Sequence, residues 1–185
     1  MAIAIDGTGT ITGISAGGLP DDSITAAELS TKTFVSYALI VDSKAYNTDG
    51  GTFTSGAWRT RDIDTVLYDP DNIVSLSASD QFTLTAGTYL ITWSAPAFDV
   101  GKHLAVLQDM TSSVTSAVGT AEEANPTGNG YTRSFGSFRA VLTGTTVYEI
   151  QHQCDSTKTT NGFGKAHDNN PYASIYTRVE IYKEA

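Results

Sequence analysis

Apolar and polar positions change rhythm along this chain near residue 34. Before it, AIDGTGTITGISAGGLPDDSITAAELSTK is rich in Gly, Thr, Ser and Ala and holds too few large apolar groups to build a core. This composition predicts a stem or linker over residues 1–33. Within it Thr25 and Glu28 stand at capping-box spacing, where the hydroxyl accepts from the amide three residues on and the carboxylate reaches back. One short helix is expected there, ending near Thr33 and too short to stand alone in water, so it calls for packing against copies of itself.

From Phe34 onward, runs rich in Val, Ile, Thr, Tyr and Phe alternate with clusters of Gly, Asn, Asp and Ser, which predicts many short strands. The runs include Ile73 to Leu76, Gln81 to Thr85, Thr88 to Ser94, Leu104 to Gln108, Ser134 to Leu142 and Thr146 to His152. Tyr89, Ile91 and Trp93 share a face, and Ala86 to Thr88 supply a tight turn from the preceding strand. The closing run alternates most clearly. Ala173, Ile175, Val179 and Ile181 fall on one face, and Tyr176, Arg178, Glu180 and Tyr182 on the other. A half-polar face with two tyrosines beside Arg and Glu has the composition of a subunit interface, the alternative being a strand that faces solvent. Strands at this spacing with no helix between them predict an all-β protein, an antiparallel jelly-roll sandwich over residues 34–185.

Length and charge narrow the function. With 185 residues, 40% hydrophobic and 17% charged, the chain can bury a sizeable core without a staple, and its single Cys allows no intrachain disulfide. Asp and Glu number 20 against 11 Lys and Arg, a formal charge of -9 that repels phosphate backbones and anionic bilayers, so neither nucleic acid nor membrane insertion is expected. No apolar run approaches the roughly 18 residues of a membrane span. The opening MAIAIDGTGTITG lacks the basic and apolar regions of a signal peptide, which predicts synthesis in the cytoplasm without export by the general secretory route.

Candidate chemistry is sparse. Gly13 to Gly17 spells G-x-S-x-G, but a nucleophile elbow needs a strained turn between strand and helix, and this one sits in the stem. His152 and Cys154 share a strand face with Tyr148 and Ile150, which predicts a buried thiol and a satisfied His rather than a metal pair. Calcium is the one ion that Asp62, Asp64, Asp69, Asp71, Asn72 and the HDNN run from His167 could take, yet no complete calcium loop is present and turn chemistry accounts for them. No spacing unites Asp99, Lys102, His103, Glu122 and Glu123 into an acid and base pair. The expectation is a protein without catalytic residues, resident metal or cofactor.

Three segments in order, QFTLTAGTYLITWSAPAF, VLTGTTVYEIQH and YASIYTRVEIYKEA, resemble the jelly roll of the tumour necrosis factor and complement-head type. The likeness is carried by Phe82, Gly87 and Tyr89, by Gly144 and Val147, and by Tyr176 with Ile181. The stem, the stretch from Gly56 to Tyr89 and TTNGFG at Thr159 to Gly164 are similar to small virion and tail-fibre proteins of bacterial viruses, notably those of aquatic bacteria.

That resemblance implies a homotrimeric head on a short stem that docks to other virion proteins, with the head's end loops touching a host-surface polysaccharide. Aromatic, amide and carboxylate groups suit sugar faces and hydroxyls, which makes Tyr68, Asp69, Asp71, Asn72, Asn129, Tyr131, His167, Asp168 and Tyr172 the candidate receptor contacts. Tyr176, Arg178, Glu180 and Tyr182 are the candidate trimer contacts, and Thr25 and Glu28 belong to the anchor. Two rivals share the fold: a capsid decoration or head-fibre protein, and an extracellular carbohydrate-binding module.

Overall fold

A computed structural model describes residues 34–77, 80–169 and 171–185. The stem, with the Thr25 and Glu28 capping box and its short helix, lies outside the described residues. The described chain forms eleven strands: β1 (Phe34–Lys44), β2 (Arg59–Thr60), β3 (Thr65–Tyr68), β4 (Val74–Leu76), β5 (Phe82–Leu84), β6 (Gly87–Phe98), β7 (Gly101–Asp109), β8 (Val114–Ala124), β9 (Tyr131–Leu142), β10 (Thr146–Cys154) and β11 (Ser174–Glu184).

They pair, all antiparallel, into two facing sheets. One has the order β3-β1-β11-β6-β9; the other has β4-β5-β10-β7-β8, with β2 added beside β10. Sequence neighbours mostly lie in different sheets, because inward-facing apolar rows on both sheets need each other's cover. The residues Ala86 to Thr88 thus turn the chain from one sheet to the other and do not close a hairpin, since β5 and β6 do not pair.

Period-two burial explains the strands. Ala38 and Ile40 of β1 lie opposite Ile181 and Val179 of β11, which in turn face Ile91 and Trp93 of β6, and all six point into the core. Leu84, Leu107, Tyr148 and Ile150 answer them from the second sheet. Each fully buried aliphatic contributes roughly 1.5–3 kcal/mol. The alternation breaks once on β11: between the pairs Val41 with Arg178 and Ser43 with Ile175, two β11 residues stand opposite Asp42 alone. This bulge leaves both Tyr176 and Thr177 buried.

The ends of the sandwich differ. Phe34 lies opposite Glu184, so the chain enters and leaves at one end, together with the turns after β5, β7 and β9. The opposite, distal end carries the long connections 45–58, 125–130 and 155–173. A second apolar cluster of Phe53, Ala97, Val100, Ala124, Cys154 and Phe163 lies beneath them.

Candidate functional site

The distal connections are held as a layer. Gly50 N–H donates to Gly164 O at 2.8 Å, Phe163 N–H to Gly51 O at 3.1 Å, and Phe53 and Lys158 exchange two 3.0 Å backbone bonds, so 45–58 and 155–169 run as a short ladder. Phe98 N–H donates to Gly162 O and Asp99 N–H to Gly130 O, both at 3.0 Å, tying the layer to the end of β6 and to the 125–130 loop. Side chains fix the upper part: Tyr46 Oη donates to Asp168 O at 2.6 Å, Tyr176 Oη to Thr48 O at 2.7 Å, and Ala166 N–H donates to Asp49 Oδ1 at 2.8 Å.

In this layer Tyr131, Lys165, His167 and Tyr172 line a cavity of about 200 Å³, with Ser174 and Tyr176 in its wall. Tyr131 packs on Phe98, ring centroids 6.3 Å apart, and the Lys165 ammonium stands 5.3 Å from the centre of the same Phe98 ring. Tyr172 is 75% exposed. His167 Nδ1 accepts from Asn169 N–H at 3.3 Å, which places the neutral ring's proton on Nε2 and makes that nitrogen a donor. Two tyrosine faces and an ammonium can grip the apolar face and oxygens of a sugar ring.

Of the nine candidate receptor contacts, the fold brings together Tyr131, His167 and Tyr172. Asp168 contributes its carbonyl to Tyr46, and Asn129 holds a left-handed turn, φ 56°, outside the cavity wall. Tyr68, Asp69, Asp71 and Asn72 go elsewhere. Tyr68 ends β3 opposite Leu39, and the connection after it runs to Val74, whose partner Leu84 lies beside Thr146 at the end where the chain enters. The Asp69 carboxylate accepts from Ile73 and Val74 N–H at 2.9 and 3.0 Å, so it caps its own turn.

The outer face of the β3-β1-β11-β6-β9 sheet carries a run of aromatic rings. Tyr182 lies 5.2 Å from Phe34 and 4.9 Å from Tyr37, and Tyr37 lies 5.9 Å from Tyr68. Next to them Glu180 accepts from Tyr182 Oη at 2.7 Å and from Arg178 Nε at 2.8 Å. These bonds hold the Glu180 carboxyl below its usual value, the Tyr182 bond foremost, and push the Tyr182 phenol up to about 12. The trio is internally neutralised. Arg178, Glu180 and Tyr182 therefore do share an outward face, and Tyr68 belongs with them. Tyr176 does not: the bulge and the distal loops bury it, with Gly164 against its ring. Phe34 and Tyr37 also lie on this face; neither is among the candidate trimer contacts, because the sequence shows them only within an apolar run.

A second exposed apolar group lies along the opposite edge, where Val118 of β8 and Phe135 of β9 are 62% and 53% exposed. The two strands close that side of the sandwich, with Ser134 Oγ donating to Thr120 O at 2.7 Å and Phe135 N–H to Thr120 Oγ1 at 3.0 Å.

Polar groups are also buried between the sheets. His103 Nδ1 and His152 Nε2 lie 2.9 Å apart, and His103 Nε2 lies 2.7 Å from Thr132 Oγ1 on the facing sheet. Burial pushes His103 down to about 4, and His152 well below its usual value with the Arg61 charge adding. His152 and Cys154 are both buried, as their shared face predicts, but His152 Nδ1 has no hydrogen-bond partner. Arg61, fully buried, donates to Thr177 Oγ1, Pro96 O and Phe163 O at 2.8, 3.2 and 2.9 Å and lies 4.1 Å over the Phe163 ring. Lys44 gathers Asp42, Asp62 and Asp64 at 2.9, 2.7 and 3.5 Å. Among the described residues no group of three His, Cys, Asp or Glu side chains is arranged to hold a metal ion.

A larger, shallow cleft of about 740 Å³ lies against β7, β8 and β10. Glu122, Glu123 and Asp155 line it against the single Lys102, and His103 is its one ring, a lining with no aromatic platform for a sugar.

No family model and no curated protein matches the chain. Among solved structures it is similar to murine APRIL at pH 5.0, at 9% identity and TM-score 0.52 over 80% of this chain and 98% of that one. It is similar also to Eiger TNF from S. frugiperda, at 11% identity and TM-score 0.52 over 80% and 92%. The globular domain of zebrafish complement 1qA aligns at 11% identity and TM-score 0.45 over 80% and 95%. The fold is thus an all-β antiparallel sandwich of the jelly-roll type seen in tumour necrosis factor-like proteins.

Proposed function

We propose that this chain is a virion structural protein of a bacterial virus, acting by binding and not by turnover. Residues 34–185 form the head of a short homotrimeric fibre and residues 1–33 its anchor to other virion proteins, while the distal loops attach to a saccharide of the host surface. The observation that carries the reading is the placement of two features at opposite ends. The chain enters at Phe34, whereas the cavity of Tyr131, His167 and Tyr172 belongs to the far end. An attachment protein anchored by its N-terminus needs this polarity.

Self-association is supported by two different exposed apolar patches on opposite sides, the Phe34, Tyr37, Tyr68 and Tyr182 face and the Val118 and Phe135 edge. Contacts between unlike patches are heterologous and close into a ring when the rotation allows. The jelly-roll resemblance implies three copies in that ring, and three weak saccharide sites presented together gain by avidity.

Immunogold electron microscopy, with antibody to residues 34–185 on particles of the encoding virus, tests the proposal. Gold at the distal tail is expected. Gold over the capsid would replace attachment with a decoration or head-fibre role, and unlabelled particles would point to a free carbohydrate-binding module.

A further inference from the structure

We infer that the distal cavity takes an acidic pyranose, a sugar ring that carries a carboxylate, with Lys165 as the group that selects the acid. The inference rests on the attachment reading above and names the class of saccharide. Its starting point is size. About 200 Å³ lies below the roughly 300–1,000 Å³ of sites for drug-sized ligands, so the cavity seats a single ring and leaves the rest of a polysaccharide outside.

Charge then decides between sugars. Four of the ten Lys and Arg side chains among the described residues are engaged by carboxylates: Lys44 with three aspartates, Arg139 with Glu184, Lys158 with Asp99 and Arg178 with Glu180. Arg61 and Arg133 spend hydrogen bonds on backbone carbonyls. Lys102, Lys165 and Lys183 have no carboxylate of the described residues in ion-pair distance, and of these three it is Lys165 that lines the distal cavity, its ammonium over Phe98. An ammonium held on an aromatic ring at the mouth of a small cavity is placed to meet an anion. A neutral sugar takes from it only a hydrogen bond, whereas an acid adds a charge-assisted one.

The rest of the surface sharpens the contrast. A formal charge of -9 disfavours acidic saccharides almost everywhere on the protein. The acidic lining of the larger cleft on β7, β8 and β10 repels them outright. Tyr131 and Tyr172 supply the rings on which the apolar face of the sugar lies, a contact that acidic and neutral sugars share. Affinity for the ring and preference for the acid therefore reside on different side chains and are separable by mutation.

The test is saturation-transfer NMR on the full chain with methyl glucuronide and methyl glucoside as matched probes, on wild type, Lys165→Met and Tyr172→Ala. Met keeps the methylene stem and deletes the charge. The expected result is about tenfold tighter binding of the glucuronide by wild type, a preference lost in Lys165→Met, and weaker binding of both probes by Tyr172→Ala. Equal binding of both probes with Tyr172→Ala still weakening them would overturn the acid preference and leave the attachment site standing. Binding of neither probe, or binding untouched by Tyr172→Ala, would overturn both.

Discussion

His103 Nδ1 stands 2.9 Å from His152 Nε2, so one ring donates to the other across neighbouring strands, both of them buried. Burial lowers His103 to about 4 and His152 well below the usual 6.5, with Glu122 opposing and Arg61 adding to the depression. In the folded state these rings bind fewer protons than in the unfolded chain, so their contribution to stability is full near pH 7 and is lost as pH falls from 6.5 toward 4. Asp42 runs the other way, since burial raises it to about 6 and its contribution is lost as pH rises from 3.8 to 6. Two histidines outweigh one aspartate. Urea unfolding is expected to show the protein roughly 2 kcal/mol less stable at pH 5 than at pH 7.5, with about half that loss in His103→Gln. An unchanged slope in the variant would remove the pair as its source.

Arg61 holds Thr177 of β11, the Pro96 carbonyl of β6 and the Phe163 carbonyl of the distal loops at once. Truncation strands all three acceptors in the interior. Arg61→Met is therefore expected to cost about 3 kcal/mol, and Arg61→Lys nearly as much, because one ammonium cannot reproduce the planar fork. Finding Arg61→Lys within about 0.5 kcal/mol of wild type by denaturant unfolding would contradict this role.

The fold was legible because burial on both sheets repeats every two residues, and the rows from Tyr89 to Trp93 and from Val179 to Ile181 carry that period undisturbed. Where backbone irregularity intervenes, the sequence misleads. The bulge opposite Asp42 shifts the parity of β11 and turns Tyr176 inward, and nothing in the run SIYTR marks it. β8 was missed as a strand because an edge strand wet on both sides selects small and polar residues, as in VTSAVGTAEEA. Loop chemistry was readable, but loop position was not. Tyr68 to Asn72 and Tyr131 have similar composition, and only the strand order assigns them to opposite ends. Arg61 looks in RDID like a surface charge, since its three acceptors come from segments 35 to 116 residues away.

Gly136 packs its bare Cα against the indole of Trp93, its partner across β6 and β9, and a Cβ there would overlap the ring. Neither group can yield, as Trp93 lies in the main core. Gly136→Ala is expected to destabilise by about 1–3 kcal/mol, and by clearly less in a Trp93→Phe background where the larger ring is gone. Strict additivity of the two changes in thermal or denaturant unfolding would show that the contact is not the cause.

The two apolar patches make a joint prediction about assembly. Light scattering on the full chain should give three times 19.6 kDa. Tyr37→Asp places a charge among the rings of Tyr68 and Tyr182, while Phe135→Asp does the same on the far edge. Each should yield folded single chains by circular dichroism, since buried aromatic contacts at interfaces commonly carry about 2 kcal/mol or more. If the contact joins unlike patches, each variant retains the patch that the other has lost. An equal mixture should then recover a species of twice 19.6 kDa and no larger, because only one sound contact remains. A self-paired contact between like patches would leave one of the variants fully assembled, and a wild-type chain that scatters as a single copy at micromolar concentration would end the homotrimer.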